Sequence, residues 1–144
     1  MSTVRRYNNR LGIRGWIYAG NYGLERYLYF LHRISGLGLI FYLLLHIGVT
    51  SARIYGGAAW EQTMSLLSGP AFKLGEYVLM AGAIFHAANG LRLIITELGM
   101  CIGTPGRQEY PYVSSVRKQR RLMIVVMIII AVLLLISGVD FFIL

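Results

Sequence analysis

The chain has 144 residues, 56% of them hydrophobic, and a positive mean hydropathy. That is too apolar for an ordinary water-soluble domain and leaves an integral membrane protein. Its net charge of +8 would suit a nucleic-acid binder, but the basic residues gather beside apolar stretches rather than on one surface, so nucleic acid is excluded as a partner and the lipid membrane takes its place.

Residues 1–28 form an interfacial segment rich in arginine, glycine and aromatic residues, with Trp16, Tyr18, Tyr22 and Tyr27 among them. Such a belt marks the headgroup layer. The segment has no apolar core of the kind a secretory leader carries, so no cleavable signal is expected in it. Its scarcity of acids also suits a mitochondrial transit peptide, although its aromatic and glycine content argues against that.

Three apolar stretches follow, about 29–54, 71–98 and 122–144, each long enough to cross a hydrocarbon core that needs roughly 20 helical residues. The expected fold is all-α, with residues 29–144 as one membrane domain of three transmembrane helices. Arg5, Arg6, Arg10, Arg14, Arg26 and Arg33 precede or open the first span, and Arg92, Arg107, Arg117, Lys118, Arg120 and Arg121 surround the second connection; only Arg53 and Lys73 flank the first. By the positive-inside rule the N-terminus is cytoplasmic and the C-terminus outside. The plasma membrane of a prokaryote is the expected location, ahead of a mitochondrial inner membrane.

The first span opens with His32, Arg33, Ser35 and Gly36 and carries His46 fourteen residues after His32. Fourteen residues are nearly four turns, so both imidazoles fall on one helical face, roughly 21 Å apart along the axis. Arg33 either snorkels to the headgroups or clamps a carboxylate through its planar fork. Tyr29 stands one turn before it. The connection to the second span contains the turn signals Gly56–Gly57 and Gly69–Pro70.

The second span holds LMAGAIFHAANGLRLIITELG, with His86 deep in the apolar run and Arg92 and Glu97 at its end. An ionisable side chain at such a depth is a functional candidate. Gly82 and Gly90 lie four residues before and after His86, on its own face. With Ala83 and Ala87 they make a side-chain-poor strip on which a flat macrocycle could lie with the imidazole reaching its iron. The rival reading is close packing of helices over small residues, with His86 and His46 hydrogen-bonding across an interface as in a non-redox transporter or assembly subunit. The third span has no titratable residue before Asp140 and reads as scaffold. A single cysteine, Cys101, rules out an intrachain disulfide, and no C-x-x-C-H run is present, so any haem is bound non-covalently.

Two groups of residues resemble a known family. His32-Arg33-Ile34-Ser35-Gly36 matches the H-R-[IV]-[ST]-G opening, and His86, Gly90, Leu91, Arg92, Glu97 and Gly99 match the H-x-x-x-G-[IL]-R-…-[DE]-x-G closing, of the cytochrome b membrane-anchor subunits of succinate dehydrogenase (complex II) and fumarate reductase, C-subunit type. The resemblance implies that His86 is an axial ligand of haem b. It puts His32, Arg33, Ser35, Arg92 and Tyr29 near the haem propionates and the quinone, and Gly36, Gly82 and Gly90 against the haem. His46 looks like the additional first-span histidine of two-haem anchors, which implies a second haem and favours menaquinone over ubiquinone. The resemblance also implies three partners: a second membrane-anchor subunit, an iron–sulfur subunit and a flavoprotein oxidising succinate. The chain is then non-catalytic by itself. It departs from the family pattern at Tyr29, where a quinone-binding serine is frequent, and at Glu97, where aspartate is common.

Overall fold

A computed structural model describes residues 12–13, 24–103, 107 and 119–143. The belt residues Trp16, Tyr18 and Tyr22 and the basic pair Arg117 and Lys118 lie outside the described residues. Among those described, regular structure is entirely helical. Helix α1 spans Leu24–Thr50, a 3₁₀ segment Ser51–Tyr55, α2 Gly57–Leu66, α3 Pro70–Glu97 and α4 Arg120–Phe142. Helices α1, α3 and α4 are long and apolar enough to cross a membrane. At 27, 28 and 23 residues they are about 35–42 Å long, against the ~30 Å hydrocarbon core.

The first span begins five residues earlier than its hydropathy indicates. Glu25 in the opening turn accepts from Arg120 at the start of α4, with both Nε and a terminal nitrogen 3.0 Å from the same carboxylate oxygen. The acid also opposes the positive end of the helix dipole. The first connection is itself mostly helical, because Ala58, Ala59, Glu61, Gln62, Met64 and Leu66 are good helix formers between the turn signals at Gly56 and Gly69. Arg53 lies over the Trp60 ring, 4.2 Å from its centroid, a cation–π contact that folds the 3₁₀ segment onto α2.

Helix α3 is central and packs against both α1 and α4. Its burial pattern inverts that of a soluble bundle. The buried apolar residues are Leu28, Met123 and Ile130, whereas the most enclosed residues on α3 are polar: Asn89, Arg92 and Thr96. Long apolar side chains such as Leu37, Phe41, Leu44 and Leu135 face outward. Lipid tails are as apolar as leucine, so helices in a membrane gain from close packing and hydrogen bonds, not from burying leucine.

The α3–α4 contact is sealed by Tyr77, whose hydroxyl donates to the Leu134 carbonyl at 3.1 Å, while Gly138 leaves room for the phenol. Tyr77→Phe removes only this bond. The expected loss is ~0.6 kcal/mol, the usual scale of an interhelical bond in a membrane, read as a small drop in thermal midpoint of the detergent-solubilised protein.

Candidate functional site

Helices α1 and α3 run antiparallel and meet through two glycines and two imidazoles. A Cβ added at Gly36 would come 2.8 Å from Cε1 of His86, and one added at Gly90 would come 3.1 Å from Cε1 of His32. Each glycine is the seat of the other helix's histidine. Between them the two rings stack with centroids 4.0 Å apart and planes 8° from parallel. This reciprocal fit fixes the register: position 36 is level with 86, and 32 with 90.

The hydrogen bonds around His86 determine its tautomer. Its Nδ1 lies 3.1 Å from the His32 carbonyl and 3.2 Å from Ser35 Oγ, and Ser35 donates its hydroxyl proton to that same carbonyl at 2.9 Å. A carbonyl only accepts, so the arrangement that satisfies all three contacts has Ser35 donating to the carbonyl and the hydrogen assigned to Nδ1. The lone pair is therefore on Nε2. Metal-bound histidines characteristically donate the non-ligating N–H to a carbonyl or similar acceptor, so His86 has the donor chemistry an axial ligand requires.

Beside this pair lies a buried polar group that sequence reasoning passed over. Asn89 is wholly buried, three residues after His86 and three before Arg92, and its Oδ1 accepts from Arg92 Nε at 3.0 Å. The i, i+3 spacing to both neighbours was the available signal. Two enclosed nitrogens, His32 Nδ1 and Asn89 Nδ2, have no hydrogen-bond partner among the described residues. Each unsatisfied group costs about 1–3 kcal/mol.

The structure separates residues that the sequence groups together. Arg92 is 3% exposed and lies inside the bundle, whereas Arg33 is exposed with its guanidinium over the Tyr29 ring, 5.6 Å from the centroid. The two guanidiniums do not form one surface rim. Among the described residues nothing lies within 4 Å of a Cβ added at Gly82.

His46 lies apart from this cluster. It is exposed, touching Tyr42, whose hydroxyl is 3.4 Å from its Nδ1. Helical periodicity does put His32 and His46 on one face, yet residues 41–48 are all exposed while His32 is packed against Gly90. By the register, His46 lies ten residues from the level of His86, about 15 Å along the axis.

Residues 17–136 match the family of succinate dehydrogenase/fumarate reductase transmembrane subunits. The chain belongs to this family. Similar curated proteins include the succinate dehydrogenase hydrophobic membrane anchor subunit of Halobacterium salinarum, 36% identical over 86 residues, or 59% of this chain and 65% of that protein. Another is the succinate dehydrogenase 2 membrane subunit SdhC of Mycobacterium tuberculosis, 30% identical over 81 residues, 56% of this chain and 58% of that one. The chain thus spans less than two thirds of the length of these relatives. Family membership makes the three apolar helices those of a complex II membrane subunit, and the Gly36–His86 crossing falls inside the matched region.

Proposed function

We propose that this chain is the haem b-binding membrane anchor of a succinate:quinone oxidoreductase, holding the flavoprotein and iron–sulfur subunits at the membrane and contributing to the quinone site. The single observation that carries this reading is the orientation of His86, whose Nδ1–H is committed to α1 and whose Nε2 retains its lone pair. The haem would supply one-electron redox chemistry at that nitrogen. A further ligand to it would be supplied by the second anchor subunit.

The chain's own residues hold and orient. Helix α1 presents an acceptor pair that fixes the imidazole, and His32, whose Nδ1 lacks a hydrogen-bond partner among the described residues, would neighbour a propionate or a quinone oxygen. Arg33, exposed at the same end of the bundle, offers a bidentate cation there. With the positively charged ends on the cytoplasmic side, His32 and Arg33 lie toward the docked iron–sulfur subunit, and electrons from succinate reach quinone on that side. The fold is then an anchor in a prokaryotic plasma membrane with a cytoplasmic N-terminus and an external C-terminus.

A reduced-minus-oxidised optical spectrum of the purified complex tests the proposal. A b-type band supports it; its absence, in a complex that contains flavin and both anchor subunits, returns the histidines to interhelical packing. In the same complex, Arg33→Lys replaces a planar fork with a point charge. The apparent KM for quinone is expected to rise about tenfold, equivalent to ~1.4 kcal/mol, with assembly intact. An unchanged KM assigns Arg33 to the headgroup layer. Tyr29, whose ring lies under the Arg33 guanidinium, is expected to share in that pocket mouth.

We further propose that His46 ligates a second haem on the outer side, with menaquinone as the quinone. Its roughly 15 Å axial offset from His86 is too large for the two imidazoles to share one iron, and its exposure on α1 leaves it accessible to a partner subunit. Two haems per flavin and two midpoint potentials are expected, with His46→Ala reducing the ratio to one. A ratio of one that survives this substitution overturns the second site.

A further inference from the structure

The sequence brackets Ser35 with residues at the propionates and quinone, but its hydrogen bonds point elsewhere. Its hydroxyl oxygen lies between the His32 carbonyl, to which it donates at 2.9 Å, and His86 Nδ1 at 3.2 Å. Because Gly36 has no side chain, the imidazole approaches α1 closely enough to reach both acceptors at once.

We propose that Ser35 is a positioning residue acting through His86: it locks the Nδ1–H tautomer and, as the second acceptor on that proton, raises the basicity of Nε2. This rests on the reading of His86 as a haem ligand. Two acceptors on one N–H draw the ring toward imidazolate character, and a more basic ligand stabilises ferric over ferrous iron. The His32 carbonyl alone, already the helical partner of the Gly36 amide, draws on the proton less. The lock belongs to α1 while the ligand belongs to α3. Ser35 therefore couples the packing of the two helices to the redox poise of the site.

The experiment is a redox titration of the assembled, membrane-embedded complex carrying Ser35→Ala, Ser35→Cys or Ser35→Thr, with low-spin haem monitored optically and by electron paramagnetic resonance. Ser35→Ala is expected to keep its haem but shift the ferric/ferrous equilibrium toward ferrous by up to tenfold, a positive midpoint shift of up to ~59 mV for one electron. Ser35→Cys, of similar volume and a weaker acceptor, is expected to shift in the same direction by less, and it carries the test if the alanine variant does not assemble. Ser35→Thr keeps the hydroxyl and restores the wild-type potential. Unchanged potential and resonance positions in both Ser35→Ala and Ser35→Cys, with haem lost in His86→Ala, overturn the positioning role alone. Full haem in assembled His86→Ala overturns the ligand reading, and this proposal with it.

Discussion

Replacing His86 with alanine is expected to abolish a b-type absorbance band from the assembled complex. The chain has three histidines, and only His86 combines a central position on α3 with a ring nitrogen held free by acceptors on its other side. Loss of an outer hydrogen-bonding partner alone typically weakens metal affinity 10–100-fold; loss of the ligand itself should exceed that and leave haem below stoichiometry. His32 is a poor substitute, because its ring is seated on Gly90 about one helical turn away along the register. A purely structural His86 predicts something else. An interhelical bond is worth about 1–2 kcal/mol at most, so its removal would lower the thermal midpoint slightly and leave haem content and spectrum as they were. The haem-to-flavin ratio of the purified variant therefore separates ligation from packing in one measurement.

Gly36→Val is expected to have the second largest effect, without touching a ligand. Its Cβ would lie 2.8 Å from His86 Cε1, closer than any van der Waals contact allows, and the two further methyl groups have stacked rings and an opposing helix around them. Overpacking of this kind costs about 1–3 kcal/mol. The imidazole must rotate away or α1 must back off from α3; either breaks the Nδ1–H contacts to His32 and Ser35. Both reduced assembly and haem loss are expected, read by size-exclusion chromatography with absorbance at protein and haem wavelengths. Gly90→Ala should be milder, since its Cβ meets His32 at 3.1 Å. Gly82→Ala meets nothing among the described residues within 4 Å. A fall in haem content for that variant reports the macrocycle or a partner against the small-residue strip, whereas wild-type behaviour makes Gly82 a lipid-facing residue.

Much of the molecule was legible before any coordinates. Apolar run length alone yields three spanning helices, since a bilayer demands about 20 apolar residues per crossing and nothing else in the chain competes. The short motifs around His32 and His86 point to the family because their residue types and spacings are local, and the family match covers both. The helicity of the first connection is implicit in its Ala, Glu, Gln, Met and Leu content, although Gly56–Gly57 and Gly69–Pro70 at its ends read as turns.

What the sequence could not determine is where the helices touch. Periodicity assigns residues to a face of one helix, and it assigns His32 and His46 to the same face. It carries no information about where a second helix crosses, and in the fold one imidazole is packed against α3 while the other is exposed. Arg92 and Arg33 are both cations at the same end of the bundle in the sequence; only packing against α1 and α4 makes the first a buried partner of Asn89 and leaves the second outside. The tautomer of His86 is likewise a tertiary property. Its proton is assigned by a carbonyl and a hydroxyl 54 and 51 residues away in sequence, and the absence of a side chain at Gly36 is what allows that helix to come close enough to do it.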